Sequence, residues 1–423
     1  MSGVRISLPR PLFLYPYTCP NTARRCESTG TRRCVLTDRS DPLATQTFHC
    51  DTLFDGERLL TDQRVSVSEG RIQAIEPASS STASATRRAA LLVPGFVDLQ
   101  VNGGGGVLFN EAPTVETLST IAQAHRQGGT VGFLPTLISG STDQITRAIQ
   151  AVEDAMAAGV PGVLGIHLEG PWLSRARRGA HDARSLDVPT EAAINLFASL
   201  RGGKTLVTLA PEVAGDDVVS ALTERGVVVS GGHSEADLDV CLRALDAGMR
   251  GFTHLFNAMP PMLSRDPGMV GAALADDRAW FGIIADGHHV HPASVRAAVR
   301  AKPAGGALLV TDAMSTVGAP EAAFSLAGET VSLRDGRLAT PEGTLAGAHL
   351  TMLDAINNVT DFAAIDWFEA VRMGSTYPAK ALSLDGELGS IREGGRASFL
   401  LLDDSRRLLE TVVDGVAYSV TSD

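Results

Sequence analysis

Short apolar runs that end in polar residues recur through most of the chain. Eight such runs lie between positions 91 and 312, and helical patterns fill most of the gaps between them. The candidate strands are Leu91–Asp98, Thr130–Thr136, Gly162–Leu168, Lys204–Ala210, Gly226–Gly232, Gly251–His254, Ala279–Asp286 and Gly306–Asp312. The candidate helices include Thr117–Arg126, Thr142–Ala158, Ala236–Ala247 and Pro292–Ala301. Strands that alternate with helices predict a parallel α/β sheet, and the number of units favours a (β/α)8 barrel over a doubly wound open sheet.

The two ends of the chain show a different pattern. Period-two alternation interrupted by Asp-Gly and Glu-Gly follows Phe48, and it returns in 397–403 and 408–416. We therefore predict one small β domain built from residues 48–93 and 386–423, with the barrel in residues 94–385. Residues 1–47 lack a sustained period, and we expect a disordered extension or a start codon set too far upstream.

Composition narrows the class of protein. The chain has 423 residues, 44% of them hydrophobic, and a net charge of −12. This charge argues against a nucleic-acid binder, which needs lysine and arginine to neutralise phosphates, but it permits an anionic small substrate. No apolar run approaches the roughly 18 residues of a membrane span. The five cysteines form no paired zinc knuckles and suggest no disulfide scaffold, so we expect a cytoplasmic protein with no membrane partner.

Functional side chains cluster at the ends of the predicted strands. In a parallel barrel these ends meet at one mouth. They carry Gln100, Asn102, Thr136, Glu169, Glu212, His233, His254, His289 and Asp312. Each histidine alone is more often structural than a ligand, and Glu169 alone could simply begin a loop. Two histidines, a glutamate and an aspartate on one face instead predict a metal site of the hydrolytic type.

Several motifs add a family resemblance in residues 48 to 423. Pro94-Gly-Phe-Val-Asp98 resembles the opening strand of the amidohydrolase superfamily. The narrower set resembles the N-acetylglucosamine-6-phosphate deacetylase family: His167-Leu-Glu-Gly-Pro-Trp-Leu, Arg178-Gly-Ala-His181, Leu209-Ala-Pro-Glu212, Gly232-His-Ser234, Thr253-His-Leu-Phe-Asn-Ala-Met259, Asp286-Gly-His-His-Val290 and Thr311-Asp-Ala313. Each motif is weak by itself, whereas their succession is a strong signal.

The resemblance implies a (β/α)8 barrel with a small β-sandwich and a metal-dependent loss of acetate from a phosphorylated amino sugar. Glu169, His233 and His254 match the metal ligands of the family, and Asp312 matches its catalytic carboxylate. The implied cofactor is one divalent ion per subunit, with zinc expected and iron, cobalt and manganese as alternatives. The implied role is amino-sugar catabolism or recycling.

The resemblance also assigns residues to the substrate. His181 matches a histidine that polarises the amide carbonyl, and His289 matches one that contacts substrate. Asn257 and Ala258 match a turn that binds the sugar phosphate. Arg265 resembles an arginine lent to the same phosphate across a homodimer interface.

One position departs from much of the superfamily. Many members place His-x-His after the first strand to hold a second metal, whereas this chain has Gln100-Val-Asn102. Neutral amides are poor zinc ligands beside imidazole, so we predict a single tightly bound ion near a vacant second-metal site. Some deacetylases of this family share Gln-x-Asn, so activity is still expected.

The residues suggest a mechanism. Amide hydrolysis needs an activated water, a polarised carbonyl and a proton donor, and zinc supplies the first two. Asp312 would carry the proton from water to the departing nitrogen, while His181 would donate to the carbonyl oxygen. Alternative interpretations are a deacetylase of N-acetylgalactosamine 6-phosphate, a cyclic amide hydrolase and an inactive scaffold. The loop that follows Glu169, including Trp172, could be a lid or a solvated loop.

Overall fold

The computed structural model describes residues 45–80, 87–326 and 328–420. The extension expected in residues 1–47 therefore lies almost entirely outside the described residues. Within them, no helix has both the length and the apolar character needed to cross a membrane.

Strands and helices alternate through the described residues. The strands are β1 (Gln46–Phe54), β2 (Leu59–Ser68), β3 (Arg71–Pro77), β4 (Arg87–Pro94), β5 (Phe96–Val101), β6 (Gly103–Gly104), β7 (Val107–Leu108), β8 (Thr130–Ile138), β9 (Gly165–Glu169), β10 (Lys204–Leu209), β11 (Val228–Gly231), β12 (Gly251–Phe252), β13 (Trp280–Ile283), β14 (Ala307–Leu309), β15 (Ala323–Leu326), β16 (Glu329–Arg334), β17 (Arg337–Ala339), β18 (Phe399–Leu402), β19 (Leu408–Val413) and β20 (Val416–Ser419). The α-helices are α1 (Val115–Arg126), α2 (Thr142–Ala157), α3 (Glu191–Phe197), α4 (Pro211–Ala214), α5 (Asp216–Glu224), α6 (Leu238–Asp246), α7 (Gly268–Ala275), α8 (Pro292–Ala301), α9 (Met352–Ala363), α10 (Trp367–Gly374) and α11 (Thr376–Ala381).

Eight strands form the central parallel sheet. Its order is β5-β8-β9-β10-β11-β12-β13-β14, and helices connect successive strands. The carboxyl ends of the first and last strands join: the Asp312 N–H donates to the Gln100 carbonyl (3.0 Å), and the Asn102 N–H donates to that of Ala313 (2.9 Å). These bonds bring the sheet round into a barrel, so the predicted (β/α)8 fold is confirmed.

The helices begin where the sequence supplies caps. The Thr114 hydroxyl accepts the backbone N–H of Thr117 at the start of α1, and Ser141 with Gln144 forms a capping box at the start of α2. The buried face of α2 consists of alanines and branched residues at helical spacing, which face the barrel sheet. The four helices predicted from periodicity are present: Pro292–Ala301 has the predicted ends, and the ends of the other three lie within two residues of those predicted.

A separate seven-stranded sheet combines both ends of the chain, as predicted. Its order is β20-β19-β18-β4-β1-β2-β3, and the antiparallel pair β18–β4 joins the C-terminal strands to the N-terminal ones. Phe48 and Phe399 pack edge to face in its core, with ring centroids 4.9 Å apart. The smaller β part contributed by both chain ends is therefore confirmed.

The first predicted strand, Leu91–Asp98, is wrong as a single element. The chain leaves the seven-stranded sheet at Pro94 and enters the barrel at Phe96, so the run belongs to two strands. Gly95 makes the transition because a Cβ there would lie 2.3 Å from Val131 Cγ1. Apolar periodicity alone does not report this change of sheet.

A three-stranded antiparallel sheet was not predicted. We call β15–β17, together with the described part of the segment that joins them, the flap. Val331 and Leu338 of the flap are buried against Leu108, Met314 and Ala346. Asp335-Gly336 forms its β16–β17 turn with positive φ at both residues, a sequence signal for a hairpin that could have revealed it.

Close strand packing at Gly165 gives a stability prediction. A Cβ on Gly165 would lie 1.8 Å from the Lys204 carbonyl oxygen, a backbone atom of the neighbouring strand. We expect Gly165→Ala to lower the free energy of unfolding by about 3 kcal/mol, since overpacked sites cost about that much. Urea unfolding followed by circular dichroism measures this. Gly159→Ala, whose Cβ meets nothing within 4 Å, is the control for backbone strain alone; an equal loss in both would contradict the packing argument.

Candidate active site

Three buried side chains converge at the carboxyl ends of the barrel strands. Glu169 ends β9, while His233 and His254 follow β11 and β12. Glu169 Oε1 lies 3.1 Å from His233 Nε2 and 3.0 Å from His254 Nε2, and the two ring nitrogens are 3.0 Å apart. Three atoms that share one zinc ion at about 2.0–2.2 Å stand roughly 3 to 3.5 Å apart. The cluster therefore has the dimensions of a site for one metal ion.

The hydrogen bonds of these residues also suit a cation. His233 Nδ1 lies 2.8 Å from the Arg177 carbonyl oxygen. A carbonyl only accepts, so Nδ1 carries the proton and Nε2 presents its lone pair to the cluster, as ligating imidazoles do. His254 Nδ1 is buried without a hydrogen bond to any described residue.

The charge balance of the cluster points the same way. Burial opposes ionisation of Glu169, but the close contacts with the His233 and His254 imidazoles outweigh it and hold the pKa of the carboxyl well below its usual value. Burial lowers the pKa of His254, and the Glu169 carboxylate more than reverses this. The site therefore favours positive charge beside Glu169, which a metal ion would provide.

The backbone is strained where the chain leaves these strands. His233, His254 and Asp312 have φ of +48°, +32° and +51°, in the left-handed region that side chains usually avoid. Such residues cost on the order of 1–3 kcal/mol each and persist when the surrounding structure holds them. The strain coincides with the residues expected to act.

Asp312 lies beside the cluster, after β14. Its Oδ1 accepts hydrogen bonds from Asn102 Nδ2 (2.7 Å) and Gln100 Nε2 (3.1 Å), whereas Oδ2 has no hydrogen bond to a described residue. Burial, reinforced by the charge of Glu169, raises the pKa of Asp312 to about 6. One oxygen is thus anchored and the other is available to a water molecule near neutral pH.

Gln100 and Asn102 occupy the region expected for a second metal. Gln100 Nε2 also lies 3.3 and 3.4 Å from the two Glu169 carboxylate oxygens, so its amide stands between two carboxylates. An amide NH2 donates hydrogen bonds and has no lone pair for a metal. Asn102 Oδ1 is buried without a partner in the described structure, so it is free to accept a hydrogen bond from a ligand.

His181 completes this side of the site. Its Nδ1 lies 2.8 Å from Ser139 Oγ, and its ring centroid is 4.5 Å from that of His233. Burial lowers the pKa of His181 to about 3, which keeps the ring neutral. The Ser139 hydroxyl has two acceptors within reach, His181 Nδ1 and the Glu169 carbonyl oxygen (3.3 Å). The tautomer in which this hydroxyl donates to Nδ1 leaves the ring proton on Nε2, where it can be donated to a substrate. Ser139 was missed from the sequence, although it directly follows β8.

Three of the four predicted substrate residues, His289, Asn257 and Ala258, line one cavity of about 380 Å³. Its lining combines Asn102, Glu169, His181, His233, His254, Asn257, Ala258, His289 and Asp312 with residues of the flap and of segment 343–347. His289 is held by a 2.6 Å contact between its Nδ1 and Asp286 Oδ2. Arg265 is exposed and does not line the cavity within one chain.

Two further features complete the surroundings. Trp172 is buried and stacks on Phe197 with centroids 4.4 Å apart, so it belongs to the core and is not a lid. Arg178 in the same loop donates to the His181 carbonyl oxygen (2.9 Å), so this loop supports the site. A larger groove of about 1060 Å³ beside α10 and α11 contains none of the predicted residues.

A parallel barrel whose strand ends present a Glu-His-His cluster beside an anchored aspartate has the architecture of metal-dependent amide hydrolases. The Amidohydrolase family model matches residues 91–419, and the chain belongs to this family.

Three similar proteins illustrate the likeness within this family. The chain is 40% identical over 372 residues to an N-acetylgalactosamine-6-phosphate deacetylase of Shewanella sp. (strain ANA-3), covering 85% of this chain and 94% of that one. It is 37% identical over 343 residues to the human N-acetylglucosamine-6-phosphate deacetylase, covering 77% and 82%. The crystal structure of N-acetylglucosamine-6-phosphate deacetylase from Pasteurella multocida matches with a TM-score of 0.85 at 32% identity, over 89% of this chain and all of that one.

The cluster gives a prediction about metal binding. We expect Glu169→Ala and His254→Ala to weaken zinc affinity by at least about 100-fold, because losing a ligand costs no less than losing a supporting hydrogen bond. Competition with a chromogenic chelator measures this. His291→Ala is the matched control, since His291 is exposed and caps α8. Unchanged affinity in the cluster variants would place the metal elsewhere.

Proposed function

We propose that the protein hydrolyses the acetamide of N-acetyl-D-glucosamine 6-phosphate to D-glucosamine 6-phosphate and acetate. The observation that carries the proposal is the Glu169–His233–His254 cluster, with Asp312 anchored beside it through one carboxylate oxygen. Relatives of the same family that bear this activity in their names support the substrate. The reaction belongs to amino-sugar catabolism.

The proposed cofactor is one divalent ion held by Glu169, His233 and His254. Zinc suits two imidazoles and a carboxylate, with iron, cobalt and manganese as alternatives. The Gln100 amide, directed at both Glu169 and Asp312, supports a single ion, since an N–H donor cannot coordinate a second one. When bound, the ion would supply Lewis acidity to water and to the amide carbonyl.

The protein residues would supply the proton transfers. Asp312 Oδ2 takes a proton from water while the water oxygen forms a bond to the amide carbon. Asp312 then returns this proton to the nitrogen as the carbon–nitrogen bond breaks. The His181 Nε2–H donates to the carbonyl oxygen, where negative charge develops.

The rest of the substrate would be held at the other side of the cavity. His289 contacts the sugar, and the turn at Asn257 and Ala258 takes the phosphate. Arg265 would reach the same phosphate from a partner subunit. Met262 and Leu263, each 56% exposed beside Arg265, support a homodimer interface there. Buried free thiols at Cys50 and Cys241 fit the proposed cytoplasmic location.

A second candidate substrate is N-acetylgalactosamine 6-phosphate. Two relatives named for this epimer, one 40% identical and one 36% identical to the chain, favour it. The two sugars differ only at one ring hydroxyl, so both would present the same acetamide and phosphate to the site.

The test is acetate release by purified, metal-analysed protein. We would compare both N-acetylhexosamine 6-phosphates with unphosphorylated N-acetylglucosamine. Turnover of a phosphorylated sugar with about one metal per chain supports the proposal, and the ratio of kcat/KM between epimers decides the substrate. Metal-loaded protein that releases acetate from none of them would refute it and direct attention to other amides.

Replacement of Asp312 tests the proton transfers. We expect Asp312→Asn to retain the fold and the metal while kcat falls by about 10²- to 10⁴-fold, the usual contribution of general acid–base catalysis. Acetate release and metal analysis on the same sample measure both. Wild-type kcat in this variant would exclude Asp312 as the proton carrier.

The same carboxylate predicts the acid limb of the pH profile. Burial raises the pKa of Asp312 to about 6, and only the ionised form accepts a proton. Activity should therefore be present above this pKa and fall as the pH drops through it, approaching a tenfold loss per pH unit. The positive charge of a bound ion shifts this limb to lower pH. A profile of kcat/KM that rises on acidification below pH 6 would contradict the assignment.

A further inference from the structure

An anionic substrate needs a cation in a cavity that contains two carboxylates, Glu169 and Asp312. Among the described residues that line this cavity, Arg337 is the only lysine or arginine. Arg265 does not line it within one chain. The flap thus places one permanently charged guanidinium at the wall of the active-site cavity.

The packing of the flap directs Arg337 to this wall. Its neighbour Leu338 is buried at 1% exposure with Leu108 and Met314. Successive side chains of a strand point to opposite faces, so the burial of Leu338 turns Arg337 away from the small core. Arg337 Nη2 donates to the Gly343 carbonyl oxygen (2.7 Å), which fixes the guanidinium beside the segment that lines the cavity.

The remaining donors of Arg337 are available. Among the described residues, the Arg337 side chain forms a hydrogen bond only with Gly343, and no described carboxylate forms an ion pair with Arg337. A guanidinium has five N–H donors in a planar fork that matches two phosphate oxygens. Arg337 is exposed, as solvated surface arginines usually are. A purely solvated arginine, however, would have neither the hydrogen bond to the Gly343 carbonyl nor a position in the wall of the cavity.

The segment 340–348 links Arg337 to the reacting end. The Thr340 N–H donates to the Thr344 carbonyl (2.9 Å), which closes a turn beside β17. Farther along, the Ala348 N–H donates to the carbonyl oxygen of Asp312 itself (2.9 Å). The segment that anchors the Arg337 guanidinium through Gly343 is therefore the same one that bonds to the Asp312 backbone through Ala348.

We propose that Arg337 binds the phosphate of the substrate from within the same chain. The inference rests on the proposed function for the identity of the ligand, a sugar phosphate monoester. It adds a cation on the flap to the contacts expected from Asn257, Ala258 and the partner's Arg265.

The experiment compares Arg337→Gln with Arg334→Gln in the metal-loaded full chain. Arg334 is the cross-strand neighbour of Arg337, is also exposed and does not line the active-site cavity, so it controls for the loss of one flap charge. We expect Arg337→Gln to lower kcat/KM for the phosphorylated sugar by roughly 10- to 100-fold, the effect of losing a hydrogen bond to a charged group. Arg334→Gln should change it less than about twofold, and turnover of the unphosphorylated sugar should be equal in all forms.

Calorimetric binding of glucosamine 6-phosphate and of inorganic phosphate separates the two proposals. Weaker binding to Arg337→Gln than to Arg334→Gln supports the inference even if the wild-type protein releases no acetate, an outcome that would refute the proposed function alone. Equal affinity in wild type and Arg337→Gln, or no binding to wild type, would overturn the role of Arg337. A loss of kcat/KM that is equal for phosphorylated and unphosphorylated sugars would also overturn it, because it would indicate a disturbed flap.

Discussion

The site depends on a buried carboxylate. Glu169 is 3% exposed at the end of a barrel strand, and a carboxylate taken out of water is costly unless positive charge or hydrogen bonds compensate it. His233 and His254 both lie close to Glu169 Oε1, and the Gln100 amide lies close to both carboxylate oxygens. Removing the carboxylate would leave two imidazoles that face each other without an anion. The other residues of the site hold the Glu169 carboxylate and the two imidazoles in this geometry.

The contact that closes the barrel also fixes the positions of Gln100 and Asp312. Asp98 in β5 is fully buried and accepts hydrogen bonds from the Thr311 hydroxyl (2.5 Å) and from the Gln100 backbone N–H (3.2 Å). The carboxylate thus ties the first strand to the last, immediately before Asp312. Since Gln100 and Asp312 flank this tie, the seam that closes the barrel also sets the distance between the Gln100 amide and the Asp312 carboxylate. The Asp98–Thr311 contact therefore contributes both to the stability of the fold and to the geometry of the site.

The repeated strand–helix units could be predicted from the sequence, whereas features that occur only once in the chain were missed. Parallel strands deliver their end residues to one mouth, so Glu169, His233 and His254 could be expected together from local patterns alone. The change of sheet at Gly95 depends on contact with Val131, a residue distant in sequence, and leaves no periodic signal. The flap strands are short, and Ser139 reaches the site through its contact with His181, which lies 42 positions away. Arg265 could be named only by resemblance, because one chain does not bring it to the cavity.

The placement of charge makes the cavity suitable for the anionic substrate that we propose. In the described structure the carboxylates of Glu169 and Asp312 lie at the strand ends, whereas Arg337 lies on the flap, an element outside the barrel sheet. Placing opposite charges on separate elements keeps Arg337 from forming an ion pair with Glu169 and Asp312, the residues proposed to bind the metal and to carry the proton. A substrate with an amide at one end and a phosphate at the other fits this division, since each end meets its own electrostatic environment. An uncharged amide of the same size would gain nothing from the flap, so the proposed phosphate preference would be separable from the proposed reaction.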